Sequence, residues 1–471
     1  MKAKKLVVAL LAAGIGAAPV AYAASDAERI AQLEQQLKIM QEQIEALKKS
    51  TASTKDVAEL RDQMAVSVKE NVVVGDVPGS FRIPGTESSV RVYGIAELNY
   101  VKEFKGDNTA NDYSTALPYV PLNGTSGLRN RTGESYLHAR TSRIGIEGAM
   151  PSPYGQLGVK IEGDFNNNRG GYNGSGLGAP DTAAGWTNGY QFRLRHAYLT
   201  GGPWLFGQTW GTFMDIDNTP ETVDFNGPNG NTTIRQPMIR YTYTTPQYGN
   251  FVAALENSTS YVLDGSGAGT GYPPGVASAT VPDLVLRWDR SFTWGGLSFA
   301  AVSHELKLND GAGTIDTSRR GLGLRASGKL NTVGDDFFNW IITGGKGIGR
   351  YMNGMEGAGY DTVTNHIVLE KAIGLTLGYQ HKFSDTLRAN IVWAGLKSSG
   401  GEYHDWAATS GIAGGQWGIN RKLSQFHINA IWNPVKTVDL GIEYIWGKRE
   451  TLVGEKGDMS RINFLARYNL N

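Results

Sequence analysis

From Val90 onward the chain alternates. Apolar Val90, Val92, Ala96, Leu98 and Tyr100 share one parity, while Arg91, Glu97 and Asn99 take the other. This is the period-two pattern of a strand with one greasy face and one wet face. It returns at Leu157/Val159/Ile161 against Lys160/Glu162, at Ile239/Tyr241/Tyr243 against Arg240/Thr242/Thr244, and at Leu284/Leu286/Trp288 against Arg287/Asp289. It closes with Ile462/Phe464/Ala466/Tyr468/Leu470. After residue 24 no stretch approaches the roughly 18 consecutive apolar residues of a membrane helix, so a membrane crossing would have to use strands.

The connections between these runs alternate in length. Tight turns are expected at Pro151 to Gly155, Gly201 to Pro203, Pro246 to Asn250, Trp294 to Gly296, Asn331 to Asp336, Ser384 to Thr386 and Pro434 to Thr437. Longer Gly/Asn/Asp-rich loops lie near residues 102–134, 166–190, 215–236, 258–281, 309–318, 348–365, 398–419 and 449–459. Seven short and eight long connections join sixteen strands. An even strand number with short turns at one end and long loops at the other is the pattern of an outer-membrane barrel, whose closure satisfies every backbone group that lipid cannot. Eight tryptophans (Trp204, Trp210, Trp288, Trp294, Trp340, Trp393, Trp432, Trp446) fall on the expected strands or their ends, as aromatic girdles require. The expected fold is an all-β transmembrane barrel of 16 antiparallel strands over residues 89–471.

A different period precedes it. Ile30, Leu33, Leu37, Met40, Ile44 and Leu47 follow the a/d spacing of a short α-helical coiled coil within residues 24–70. The seam slips at Ser50 to Thr54 and resumes in shifted phase at Val57, Leu60, Met64 and Val68. By itself this seam favours two strands, so contacts elsewhere would have to set any higher order. Residues 71–88, with Gly75, Pro78, Gly79, Pro84 and Gly85, read as a linker. At the start, Lys2, Lys4 and Lys5, an apolar run from Leu6 to Ala18, and Ala21-Tyr22-Ala23 have the parts of a signal peptide spanning residues 1–23. The coil is then expected in the periplasm.

Composition narrows the chemistry. Lys+Arg 45 against Asp+Glu 44 leaves no basic field for nucleic acid. Cys 0 removes disulfides, thiolate metal sites and a Cys nucleophile. Gly 62 and Tyr 21 suit a turn-rich β protein. The seven histidines are scattered, with no G-x-S-x-G elbow and no H-E-x-x-H spacing. Gly344-Gly-Lys-Gly-Ile-Gly-Arg350 lacks the spacing of a phosphate loop. Neither an enzyme nor a cofactor or metal site is expected; an adhesin would place its function in the outer loops and coil.

Specific segments resemble a known family. Arg193-Leu-Arg-His-Ala-Tyr-Leu199, Gly207-Gln-Thr-Trp210, Pro220-Glu-Thr-Val-Asp-Phe225 with Gly227-Pro228, Arg235-Gln236 leading to Arg240-Tyr241, and Trp432-Asn-Pro434 followed by Leu440-Gly-Ile-Glu-Tyr-Ile-Trp-Gly-Lys-Arg-Glu450 look like the DcaP-like trimeric porins. The resemblance covers essentially the whole mature chain. It implies a 16-stranded homotrimer in outer-membrane lipid and lipopolysaccharide, a periplasmic coiled-coil extension open to periplasmic contacts, and passive uptake of small anionic solutes, dicarboxylates among them. Barrels of this kind usually end on an aromatic residue; here Tyr468 and Leu470 are the expected substitutes.

A 16-stranded lumen is wide, so selectivity needs a constriction. The third long loop, 215–236, is the candidate, with Asp215, Asp217, Glu221 and Asp224 against Arg235. Parity assigns Arg91, Lys160, Arg193, Arg195, Arg240, Arg287, Arg325, Arg388, Arg461 and Arg467 to the lumen wall, against Glu97, Glu162, Asp164, Asp289, Asp439 and Glu443. The expectation is a basic wall facing an acidic loop, with a field across the pore. Arg193, Arg195 and Arg240 form the expected carboxylate-binding cluster, because a planar guanidinium pairs bidentately with a carboxylate.

Overall fold

A computed structural model describes residues 73–106, 117–124, 132–167, 191–230, 234–263 and 279–470, with six positions nearer the N-terminus. Those six, Glu34, Gln35, Lys38, Ile39, Gln41 and Glu42, are helical and exposed, in a unit (Met1–Val72) separate from the rest. The signal peptide and the heptad-seam residues lie outside the described residues.

The second unit is a closed barrel of sixteen antiparallel strands. β1 (Ser89–Lys105) is followed by β2 (Arg143–Ser152), β3 (Gly155–Asn167) and β4 (Gln191–Gly201). Then come β5 (Trp204–Trp210), β6 (Arg235–Thr245), β7 (Gly249–Glu256) and β8 (Asp283–Phe292). β9 (Gly295–Asn309), β10 (Asp316–Asn331), β11 (Phe337–Lys346) and β12 (Lys371–Lys382) continue the wall. β13 (Leu387–Ser399), β14 (Asn420–Trp432), β15 (Val438–Thr451) and β16 (Lys456–Leu470) complete it. Each strand pairs with the next. The cylinder closes where β16 pairs with β1, Ala96 opposite Tyr468 and Leu98 opposite Ala466, so no edge is left for lipid to meet.

Alternation sets the two faces. Ile239, Leu286 and Phe464 are 47%, 51% and 40% exposed on the outer face, whereas inward Arg325, Glu443 and Arg461 are buried. That arrangement is stable only with lipid outside and polar partners within. Register shifts interrupt the alternation at β1–β16, β3–β4 and β14–β15. A bulge in the β3–β4 pairing, where Glu162 faces His196 but Gly163 faces Leu194, turns both Arg195 and His196 away from lipid.

Described segments of the first, third and sixth loops fold into the cylinder. Leu117 and Val120 of the first loop, Phe213 of the third, and Ile348, Tyr351 and Met352 of the sixth join inward wall residues such as Val285, Leu396, Leu423 and Ile445 in one apolar cluster. Arg449 ties this together, donating from Nη1 to the Val120 carbonyl at 3.0 Å and from Nη2 to the Gln416 carbonyl at 3.2 Å.

Several local expectations change. The eighth long loop, placed at 449–459, is a four-residue turn at 452–455, because β15 and β16 stay paired out to Glu450 and Lys456. The sixth loop contains a hairpin, Ala358–Asp361 with His366–Leu369. The seventh contains a helix, α1 (Glu402–Thr409), whose Trp406 is buried against Val368 and Ile419. Within the expected linker, residues 73–88 fold back onto β1: Phe81 and Arg82 pair with Val90 and Ser89, and Arg82 Nη2 holds Asp76 at 2.9 Å.

Candidate solute-binding constriction

The third loop leaves β5 at Gly211 and returns at Ile234. Arg235, expected on this loop, is instead the first residue of β6, paired with Trp210.

Three of the loop's four acids, Asp215, Glu221 and Asp224, pair with wall arginines, which replaces the expected field between separated charges. Arg325 Nη1 donates to Asp215 Oδ2 at 2.9 Å, and Arg325 Nε donates to the Phe213 carbonyl at 2.8 Å. Arg388 grips Glu221 bidentately, Nε and Nη2 each at 2.7 Å. Asp224 lies 3.9 Å from Arg461, which pairs at 2.7 Å with Glu103. Glu443 on β15 accepts the Val223 and Asp224 backbone N–H groups at 3.0 and 2.9 Å. Asp217 is exposed. The loop is therefore fastened along the walls from β10 round to β16. Its acids serve as anchors, since a charge buried in the lumen is tolerated only when paired.

The other wall cations divide in two. Arg91 is bonded to Glu147 at 2.6 Å, Arg287 to Asp289 at 2.7 Å, and Arg467 to Glu97 at 2.7 Å. Arg193 and Arg195 converge on one acidic pair. Arg193 holds Asp164 at 2.9 and 2.7 Å; Arg195 holds Glu162 at 2.6 Å and Asp164 at 2.9 Å.

Arg240 does not join them. Its charged neighbours are Arg287, Glu256 and Asp289, because the intervening β5 and the register of β6 carry it toward the turn end. The place expected for Arg240 is taken by Arg235. That guanidinium lies 3.5 Å over the Trp210 ring, which also has Arg195 at 5.8 Å and the His196 ring edge-on at 5.8 Å. Phe225 of the loop completes the stack, 5.9 Å from Arg193 and 5.8 Å from Arg195. Arg143 on β2 adds a fourth guanidinium, 3.8 Å from Glu162. Among the described residues Arg235 has no carboxylate within ion-pair distance, and its charged surroundings are Arg195, Arg193, Asp164 and Arg143.

Arg143 was missed in the sequence, although the alternation of Ile144 and Ile146 with Arg143 and Glu147 carries the signal. Trp210, expected in an aromatic girdle, instead carries Arg235; Phe225 entered only as a family motif residue, and nothing in the spacing of either marks a guanidinium platform.

At the base of the sixth loop two acids sit outside the strands. Glu370 is 1% exposed and accepts the Gly357 N–H at 2.7 Å. Burial pushes its carboxyl up to about 7, and that of nearby Glu356 up to about 7 for the same reason.

A closed sixteen-stranded cylinder, apolar outside and charged within, with a loop fastened across its interior, defines an outer-membrane channel of the porin type. The chain belongs to the DcaP outer membrane protein family, which matches residues 19–470. Among solved structures the fold is similar to the outer membrane channel DcaP of Acinetobacter baumannii, with TM-score 0.68 and 23% identity, covering 84% of this chain and 100% of that one. Salmonella typhi OmpF, solved with daunomycin, gives TM-score 0.50 at 13% identity over 81% of this chain and 98% of its own. An anion-selective porin from Comamonas acidovorans gives 0.46 at 16% identity, over 82% and 100%. None of the curated proteins compared matches the sequence.

Proposed function

We propose that the protein is a passive-diffusion porin favouring small anionic organic acids, dicarboxylates among them, and that it works as a homotrimer with its N-terminal coil in the periplasm. The observation that carries the anionic preference is Arg235, a guanidinium held on Trp210 beside Arg193, Arg195 and Arg143 without a carboxylate of its own. A carboxylate entering the constriction meets a planar, permanently charged donor already oriented by its aromatic platform. A second carboxylate on the same solute can then exchange with Glu162 or Asp164 for Arg193 or Arg143.

An outer-membrane hydrolase is disfavoured by the serines that meet histidines. Ser398 Oγ lies 2.9 Å from His404 Nε2, but Ser398 is 1% exposed. Ser258 reaches His304 at 3.4 Å, and His304 is 0% exposed and already bonded to Asp283. Neither pair presents a nucleophile to a substrate.

The test is the reversal potential of the reconstituted protein under a salt gradient. Arg235→Gln with Arg193→Ala is expected to lower anion-over-cation permeability several-fold with channels still opening. An unchanged reversal potential would reject the cluster and leave a general, low-selectivity diffusion porin.

A further inference from the structure

The outer face of the barrel carries a second set of unpaired cations, at the long-loop rim. Lys346 (β11), Lys371 (β12), Lys397 (β13), Lys422 (β14) and Lys448 (β15) are all exposed. Each continues the lipid-facing parity of its strand, above Ile342, Ile373, Ile391, Ile428 and Trp446, which are 38% to 52% exposed. Register makes them contiguous: Lys346 is directly opposite Lys371, and Lys397 directly opposite Lys422. Lys397 also faces Ile373, two residues from Lys371, and Lys448 faces Ser424, two residues from Lys422.

Like charges directly opposite on neighbouring strands repel, and the one acid that faces them across the sheet besides Glu450, Asp458 opposite Lys448, is bonded to Lys105 at 2.9 Å. Among the described residues none of the five has a carboxylate within 4 Å; the acid opposite Lys422, Glu450, is held by Arg421. The short-turn rim is built differently, with Lys382 bonded to both Asp335 and Asp385, at 2.7 and 3.0 Å. Just toward the barrel middle from the lysines stand Trp393 and Trp446, with Lys448 Nζ 4.9 Å over the Trp446 ring. Tryptophans mark headgroup depth, which sets the lysines at the level where the phosphates of the outer leaflet lie.

We propose that Lys346, Lys371, Lys397, Lys422 and Lys448 form a binding site for the phosphorylated headgroup of an outer-leaflet glycolipid, the lipid A portion of lipopolysaccharide. Ammonium groups act as point-charge partners for phosphate, and two phosphates on one glucosamine pair can span two opposed lysine pairs at once. The site rests on the outer-membrane placement given above but not on solute selectivity.

The purified oligomer is titrated in detergent with lipopolysaccharide. Replacing all five lysines by serine is expected to weaken binding by at least about tenfold, while the five-arginine variant binds like the unaltered protein. Lipid stripped of both phosphates is expected to bind the unaltered protein as weakly as intact lipid binds the serine variant. Serine-variant affinity within about twofold of the unaltered protein, or undiminished binding of dephosphorylated lipid, overturns the site. Complete displacement by inorganic phosphate at a few millimolar also overturns it, since the patch would then be a general anion surface. Conductance of the serine variant is read in parallel and is expected to be unchanged, so the porin reading stands or falls separately.

Discussion

Glu221 and Arg388 meet through two hydrogen bonds of 2.7 Å each, joining the middle of the third loop to β13, eight strands from where the loop leaves the wall. Gln380 Nε2 adds a third donor to Glu221 at 3.1 Å. Breaking the fork is expected to free the loop locally, because Arg325, Glu443 and Gln425 hold its other points. Arg388→Ala or Glu221→Gln should raise single-channel conductance and current noise and cost about 2 kcal/mol of stability. Arg388→Lys, which keeps the charge and loses the fork, should give an intermediate conductance. Traces identical to the unaltered channel would show that this loop does not limit flow.

The same contact can be opened from the wall. A Cβ on Gly378 would lie 2.6 Å from Pro220 Cγ and 2.9 Å from Asn339 Oδ1, inside any tolerable separation. Gly378→Val should displace Pro220 and reproduce much of the Glu221→Gln phenotype. The double variant should be less than additive in conductance, since both act on one segment.

The acid pair at the sixth loop predicts a pH response. Glu370 is raised from an ordinary 4.5 to about 7 by burial, and neighbours Glu356, the Ser398 hydroxyl and the Tyr403 phenol. A buried acid with a raised value binds its proton more tightly folded than unfolded. Its contribution is therefore full below about 4.5 and is lost as pH rises toward 7. Opening of the loop base, read by hydrogen exchange at Gly347 and Gly357, should increase by up to about tenfold per pH unit across that window and level off above it. Glu370→Gln should lose its own share and keep that of Glu356, and the Glu356→Gln/Glu370→Gln double variant, used as the reference at each pH, should be flat. A response in the double variant parallel to that of the unaltered protein would place the sensitivity elsewhere.

Deleting residues 24–70 tests what sets the oligomer. The heptad seam alone favours two strands, so the trimer proposed here must be fixed by the barrel. The truncated protein should still migrate as a trimer on native gels with the conductance of the full chain; monomers would transfer that role to the coil.

The strands were legible because a barrel wall has water on one side and lipid on the other, which writes a period of two into residues such as Ile239, Tyr241 and Tyr243. The tight turns followed from their Gly, Pro and Asn content. The loops were far less legible. Leu117, Phe213, Ile348 and Met352 lie in short apolar runs without strand or helix period, and nothing local says that they meet one another inside the cylinder. α1 is only eight residues long and is stabilised by burial of Trp406, a tertiary contact that propensity does not encode.

Charge was the sharpest division. Alternation puts arginines and acids on the inner parity, yet it reads Asp215, Glu221 and Asp224 as one pole of an open field. Their partners Arg325, Arg388 and Arg461 lie more than a hundred residues away. Likewise Arg235, not Arg240, stands beside Arg193 and Arg195, because the β3–β4 bulge and the early end of β5 decide which side chains share a level. What the sequence determined by itself was the closed sixteen-stranded wall and the sign of each face, since both depend on local alternation against two solvents. Only the tertiary structure decided which charges are cancelled and which remain available to a solute, because Coulomb pairing acts over a few ångströms between strands that the chain order keeps far apart.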